Sequence, residues 1–153
     1  MPNKSSIFTD PPQDFGPPMI GALLRMPWEH VVRRMLERLH AEGFDDIDVT
    51  HMNLLLYPGP QGARPSELAA RRGMSKQAVN YLLGQLEGLG YLERHRDTGD
   101  GRAKRIALTD RGERAARTVR DAVAEVERDW QARLGQDRFA QLKALLLELS
   151  QPA

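Results

Sequence analysis

The sequence predicts a mainly α-helical fold with one small β-hairpin near its middle. Apolar residues recur every three or four positions over most of the chain, which is the spacing of one face of a helix. Between residues 91 and 108 this spacing changes to alternation around a turn rich in Gly and Asp, which is typical of a hairpin. At 153 residues and 41% apolar composition, the chain can form one domain core.

The first part of the chain divides into an arm and a helical region. Residues 1–18 contain five prolines and few apolar side chains, so we expect an extended arm. Residues 19–48 predict a helix that ends near Gly43 and takes part in dimerisation. Pro27 interrupts this helix, and we expect a kink there or two shorter helices. Its apolar stripe comprises Leu24, Trp28, Val31, Met35 and Leu39.

Residues 49–112 predict a compact unit of short helices and the hairpin. Thr50 is a candidate N-cap for the helix "HMNLLLY". Next, "RPSELAARRG" has Pro65 in its first turn and Gly73 as a candidate C-terminal cap. Ser75 is a candidate cap for a third helix, "SKQAVNYLLGQLEGLG". The segments "YLERHR" and "RAKRIAL" then predict two strands joined by "DTGDG".

Residues 113–153 predict two C-terminal dimerisation helices. Thr109 is a candidate cap for the first of them, whose apolar stripe comprises Ala115, Val119, Ala122, Val126 and Trp130. The last helix, roughly residues 137–150, carries Phe139 and leucines at 142, 145, 146, 147 and 149. These leucines cover more than one face, so we expect one face to pack within the subunit and another to bind a second copy. The alternative, a monomer core, stays open.

Charge is concentrated in the central region. The whole chain has a net charge of only +1, but residues 68–105 hold eight Lys/Arg against four Asp/Glu, a net charge of +4. No acidic residue occurs from Leu68 to Leu86. Affinity for a polyanion would therefore come from the distribution of charge and not from its sum.

Two helices joined by the four-residue turn "RGMS" and followed by a hairpin form a winged helix-turn-helix pattern. The second helix is expected to protrude and to fit the major groove of DNA. Gln and Asn can bind adenine with two hydrogen bonds, and Lys can bind guanine or phosphate. The candidate DNA-reading residues are Ser75, Lys76, Gln77, Asn80 and Tyr81.

The hairpin predicts a second DNA contact. Arg102 stands between Gly101 and Ala103, so its guanidinium has small neighbours and could enter a narrow minor groove. Asp100 is expected to orient an arginine of the wing by a charge-assisted hydrogen bond. Arg94, Arg96, Lys104 and Arg105 would flank the tip and contact phosphates. The alternative is a merely solvated, charged hairpin that resists aggregation.

The segment "SELAARRGMSKQAVNYLLGQLEGLGYLERHRDTGDGRAKRIALTDRGERAA" resembles the MarR family of winged-helix transcriptional regulators. The matching residues are Glu67, Leu68, Ala69, Ser75, Leu86, Glu87, Gly90, Leu92, Arg94, Asp100, Arg102, Leu108, Thr109 and Gly112. The resemblance implies a homodimer that binds a pseudo-palindromic site in double-stranded DNA and acts as a repressor. It also implies that Arg102 enters the minor groove with Asp100 in support.

The resemblance further implies release from DNA by a small aromatic or anionic effector. Trp28, His51 and Met52 fall on segments that could line a cleft for such a compound, and the alternative that they only pack stays open. The chain has no cysteine, which excludes disulfides and a thiol switch. Its four histidines lack metal-site spacing, and no catalytic or nucleotide-binding motif occurs, so we expect neither a cofactor, nor a metal, nor an enzyme.

No apolar run reaches the roughly 18 residues that a membrane span needs, and the N-terminus does not resemble a signal peptide. We therefore expect a cytoplasmic protein without a membrane partner. The competing hypothesis on function is a winged helix that serves as a protein–protein interaction module and does not bind DNA. Such a module would tolerate charge reversal in its wing.

Overall fold

The structure, a computed structural model, describes residues 16–151 except positions 57, 60, 98 and 100–103. The described residues form six helices and one two-stranded antiparallel sheet, so the predicted mainly α-helical class with a hairpin is confirmed. In chain order the elements are α1 (Ile20–Ala41), α2 (Val49–Leu55), α3 (Pro65–Arg72), α4 (Lys76–Gly88), β1 (Leu92–Arg96), β2 (Lys104–Leu108), α5 (Asp110–Leu134) and α6 (Gln136–Leu149).

Helix α1 crosses the boundary between two units of the chain, which divide between His30 and Val31. The helix is not divided at Pro27, so the expectation of two shorter helices is wrong. Proline removes only one backbone donor, and helical hydrogen bonding resumes on either side of it. In the first unit Leu24 and Trp28 are about half exposed, at 47% and 51%.

Helix α2 begins two residues earlier than the sequence indicated. Its N-cap is Asp48 and not Thr50, because the Asp48 carboxylate accepts a hydrogen bond from the His51 backbone N–H at 3.0 Å. The His51 ring makes the reciprocal hydrogen bond, since its Nδ1 accepts from the Asp48 backbone N–H at 3.3 Å. This reciprocal capping box satisfies two backbone donors at once, which a lone threonine hydroxyl at position 50 could not do.

The other predicted helix caps are confirmed. Gly73 takes the left-handed conformation after α3, with φ 60° and ψ 29°. Ser75 precedes α4, and its Oγ accepts from the Ala78 backbone N–H at 3.1 Å. Thr109 precedes α5, and its hydroxyl accepts from the Gly112 backbone N–H at 3.1 Å.

The core of the second unit lies where the C-terminal part of α1, α2 to α5 and the hairpin meet. Its largest fully buried side chains are Leu39, Leu54, Leu55, Leu68, Val79, Leu83, Leu86, Tyr91, Ile106, Val119 and Val126. The two strands pair in register from Leu92 with Leu108 to Arg96 with Lys104. Outside the two strands, Ala63 forms an isolated antiparallel bridge to β2, because it exchanges two backbone hydrogen bonds with Ile106, at 2.8 and 2.9 Å.

Tyr91 lies fully buried at the junction of α4, β1 and α5. Its hydroxyl donates to the Asp46 carboxylate, and the Arg111 guanidinium lies 4.6 Å from the centre of its ring. Burial, followed by the hydrogen bond to Asp46, raises the pKa of Tyr91 to about 12. The ring therefore stays neutral and fixes the loop after α1 to the start of α5.

Gly112 allows the start of α5 to touch the backbone of Tyr91. A Cβ at position 112 would lie 2.0 Å from the Tyr91 carbonyl oxygen and 3.0 Å from its carbonyl carbon. Both neighbours are backbone atoms, which cannot turn aside as a flexible side chain can. Only glycine fits at this contact.

Helices α5 and α6 close the chain. The predicted stripe of α5 faces the core: Ala115, Val119, Ala122 and Val126 are buried, and Trp130 packs against them. On α6 Phe139 is buried, whereas the later leucines at 145, 146, 147 and 149 are 38–75% exposed.

We predict opposite effects on stability for alanine at two helical glycines. Gly112→Ala should lower the free energy of unfolding by about 1–3 kcal/mol or more, because the backbone must shift to make room. Gly84→Ala is the matched control, since nothing lies within 4 Å of a Cβ built at that position in α4. It should raise the free energy of unfolding by about 0.5–1 kcal/mol. Urea titrations of both variants measure the difference, and equal effects would contradict the close approach.

Candidate nucleic-acid interface

Helix α4 has one buried face and one exposed face. The buried face consists of Val79, Leu82, Leu83 and Leu86. The five candidate reading residues, Ser75, Lys76, Gln77, Asn80 and Tyr81, are all exposed, and Tyr81 is 67% accessible. The polar side of this helix start is therefore open to a partner.

Three residues, 73–75, connect α3 to α4. Gly73 ends α3 in the left-handed conformation, and its N–H donates to the carbonyls of Ala69 and Ala70. Two residues later, Ser75 is the N-cap of α4. Such a short connection between packed helices is typical of a helix-turn-helix.

The hairpin is held to the segment before α3 by backbone contacts. Besides the Ala63–Ile106 bridge, a Cβ at Gly62 would lie 2.6 Å from the Ile106 carbonyl oxygen. Gly62 also has a positive φ of 69°, which other residues adopt only with strain. The base of the wing and the entrance to α3 therefore form one rigid piece.

Asp97, at the end of β1, joins the same two segments through its side chain. It is only 7% exposed, and its carboxylate accepts from Arg64 Nε at 2.7 Å and from an Arg105 nitrogen at 3.5 Å. The Gly99 backbone N–H, followed by Arg64, lowers the pKa of this carboxyl group. The sequence alone did not predict this role, because 33 residues separate Arg64 from Asp97.

The wing cations divide into two groups. The Arg105 guanidinium donates to the carbonyls of Gln61 and Gly62 at 3.2 and 3.0 Å, so it binds its own chain and does not reach outward as expected. Arg94 Nε pairs with Glu87 at 2.9 Å and is partly covered. Arg96 and Lys104 are exposed. Asp100 and Arg102 lie outside the described residues, and their roles stay predictions.

A cleft of about 400 Å³ opens between α3, α4 and the wing. Its lining residues are Arg64, Pro65, Ser66, Lys76, Asn80, Arg94 and Lys104. Four of the seven are cations and none is acidic. The cleft is continuous with the start of α4. Because Arg64 and Arg94 already pair with Asp97 and Glu87, Lys76 and Lys104 supply most of its attraction for anions such as phosphates.

The central part of the chain is similar to a known protein family. Residues 45–103, which include the helix-turn-helix and β1, match the sequence profile of the MarR family. This segment is somewhat more than a third of the chain. The resemblance drawn from the sequence is therefore confirmed, and so is the winged helix-turn-helix fold.

Solved structures of the family agree with the fold. MarR of E. coli in its apo form is 22% identical with a TM-score of 0.67, over 88% of this chain and 99% of that chain. The S. aureus MepR–DNA complex is 24% identical with a TM-score of 0.70, over 87% and 97%. Streptococcus pneumoniae FabT in complex with DNA is 22% identical with a TM-score of 0.74, over 85% and 92%. No sequence of a curated protein matches the chain.

The three residues considered for an effector cleft lie in different surroundings. Trp28 is half exposed on α1 in the first unit. His51 and Met52 are buried in the second unit, at 7% and 2% exposure. Both His51 ring nitrogens lie within hydrogen-bonding distance of protein atoms, so this side chain packs and caps α2.

In the part of the chain that the structure describes, no three His, Asp or Glu side chains come together as a metal site requires. Over the same residues, no helix is both long and apolar enough to span a membrane.

We predict that Asp97 keeps the wing attached. Asp97→Asn should lower the hydrogen-exchange protection of the Ala63 and Ile106 amides, because two guanidinium groups lose their anion. Since the pKa of Asp97 is lowered, this protection is present at neutral pH and is lost as the pH falls below the ordinary range of an aspartate. NMR exchange measurements test both effects.

The control is Glu93→Gln, which makes the same charge change on the same strand. Glu93 pairs with His95 at 2.9 Å, and both side chains are about half exposed. This variant should leave the Ala63 and Ile106 amides protected. Equal protection in both variants would rule out a special role for Asp97.

Proposed function

We propose that this protein is a homodimeric, sequence-specific DNA-binding transcriptional regulator. In this proposal α4 lies in the major groove, and Arg102 at the wing tip enters the neighbouring minor groove. The observation that carries the proposal is the exposed, acid-free start of α4, which opens directly into a cleft lined by four cations.

The chemistry of the α4 face supports reading of base edges. Gln77 and Asn80 are exposed amides on successive turns of one face, and each can make two hydrogen bonds to adenine. Lys76 can bind guanine or a phosphate. The buried face of the same helix holds these side chains on a rigid element, which base reading requires.

The cleft supports a phosphate contact between the two DNA-reading elements. Lys76 comes from α4, Lys104 and Arg94 from the wing, and Arg64 from the entrance to α3. Ser66 adds a hydroxyl donor. A phosphate between the major-groove and minor-groove contacts would meet cations from all three segments, which would fix the register of the protein on the duplex.

Two relatives support DNA as the partner, since MepR of S. aureus and FabT of Streptococcus pneumoniae were each solved with DNA. Apolar side chains exposed on α6, such as Leu147 and Leu149 at 65% and 75%, support a homodimer. A dimer doubles the contacts and explains how small readers select one genomic site.

The family resemblance extends the proposal to repression and to release by a small aromatic or anionic effector. Trp28, His51 and Met52 stay the candidate residues for such an effector cleft, and simple packing is the alternative.

We predict that binding to duplex DNA depends steeply on salt. The logarithm of the binding constant should fall with the logarithm of salt concentration by about 0.9 per phosphate contacted. Lys76→Gln and Lys104→Gln should each weaken binding to any duplex and reduce this slope by about one, and Arg102→Ala should weaken binding to any duplex. Fluorescence anisotropy at several salt concentrations, with DNA from around the protein's own gene, measures both quantities.

Arg120→Gln is the matched control, because Arg120 is exposed on α5 and does not line the cleft. Its affinity and slope should equal those of the wild type. Undetectable or salt-insensitive binding by the wild type would instead favour the protein–protein interaction module.

We predict that the amides of α4 determine sequence preference. Gln77→Ala or Asn80→Ala should cost about 1–3 kcal/mol on the preferred site and relax the preference at the bases concerned. Selection from a random duplex library, carried out with wild type and variants, compares their preferences. Identical preferences in all three proteins would show that α4 does not read bases through these residues.

A further inference from the structure

A chain of hydrogen bonds runs from the N-cap of α2 to the exposed face of α4. The Asp48 backbone N–H donates to His51 Nδ1 at 3.3 Å. His51 Nε2 lies 3.2 Å from Gln85 Oε1. Gln85 Nε2 in turn lies 3.2 Å from the hydroxyl oxygen of Tyr81. We call this chain, Asp48–His51–Gln85–Tyr81, the relay.

The first bond of the relay fixes the protons of the next. Because Nδ1 of His51 accepts from a backbone N–H, it must offer a lone pair, and a neutral ring then carries its proton on Nε2. A protonated ring also carries a proton on Nε2. In the one alternative form, with a proton on Nδ1 alone, Nδ1 could donate to Asp48 Oδ1 at 3.2 Å, but the Asp48 backbone N–H would then face another donor.

The direction of the following bonds is then determined. Nε2–H of His51 needs an acceptor, so the Gln85 amide must present its oxygen to the ring and its NH2 group to Tyr81. This NH2 group can only donate, so the Tyr81 oxygen accepts. The hydroxyl proton of Tyr81 therefore points away from Gln85.

We propose that the relay makes the Tyr81 hydroxyl a hydrogen-bond donor toward DNA, and that Gln85 and His51 are positioning residues for this contact. The inference rests on the proposed DNA-binding function. Tyr81 lies one residue after Asn80 on the exposed face and is 67% accessible. The buried ring of His51, 7% exposed, thus controls a group on the DNA-reading surface without touching DNA.

A fixed donor restricts what Tyr81 can bind. Phosphate oxygens accept hydrogen bonds and cannot donate them. In the major groove, guanine N7 and O6, adenine N7 and thymine O4 are acceptors, whereas the amino groups of adenine and cytosine are donors. An oriented donor favours the first set, whereas a freely rotating hydroxyl could bind either.

The test is a double-mutant cycle on DNA affinity. Tyr81→Phe should weaken binding about three- to tenfold, the effect of one intermolecular hydrogen bond. Gln85→Glu keeps an acceptor for His51 but replaces the donor to Tyr81 by a carboxylate, which would accept a hydrogen bond from the Tyr81 hydroxyl and turn its proton away from DNA. It should therefore weaken binding by more than its added negative charge alone would.

The cycle separates the relay from that charge. In the Tyr81→Phe background, Gln85→Glu can act only through its charge. We expect its effect to be at least about threefold larger when the Tyr81 hydroxyl is present. Additive effects, or a Tyr81→Phe variant that binds as the wild type does, would overturn the inference.

An NMR measurement on the full chain tests the relay without DNA. Long-range proton–nitrogen correlation spectra report which ring nitrogen of His51 carries the proton, and we expect Nε2. A ring protonated on Nδ1 alone would overturn the inference. If the wild type binds no duplex at low salt, the proposed function is wrong. If the wild type binds DNA but the effects of the two substitutions are additive, only the relay is wrong.

Discussion

The carbonyl oxygen of Tyr91 lies where any residue larger than glycine at position 112 would have to place its Cβ. Around this contact the chain connects all its central elements. The Tyr91 backbone N–H donates to Leu86 of α4 at 2.9 Å, and its carbonyl accepts from Thr109 at 3.0 Å, directly before α5. Its hydroxyl binds Asp46 after α1. Because one buried residue joins these elements, α4 and the wing are held in a fixed relation to the long helix that follows them.

The acidic side chains near the cleft are held in hydrogen bonds and ion pairs. Three acidic residues lie close in sequence to residues that line the cleft: Glu67, Glu87 and Asp97. Each accepts a hydrogen bond from a backbone amide or a guanidinium. Burial raises the pKa of Asp46, but its bonds to Tyr91 and Arg111 outweigh this and leave the pKa lowered. These carboxylates position cations and backbone. A chain with a net charge of +1 can therefore present a cleft whose lining is cationic.

Local signals in the sequence predicted local structure well. Ser75, Thr109 and Gly73 act within four residues of themselves, so their capping roles were visible without tertiary contacts. The start of α2 was missed because the choice of Asp48 over Thr50 depends on the His51 ring. The role of Asp97 could not be predicted, since its partner Arg64 is distant in sequence and no periodic pattern links the two. The same holds for Arg105, since the carbonyls of Gln61 and Gly62 that bind it come from another segment.

The two faces of α4 have separate tasks, and this has an evolutionary consequence. Val79, Leu83 and Leu86 are fully buried and constrained by the core, whereas Gln77 and Asn80 are exposed. Exchanging an exposed side chain of this kind changes folding free energy by about 0.5 kcal/mol or less. Duplicated copies of such a gene can therefore diverge toward new operators by a few substitutions, while the scaffold that carries them stays unchanged.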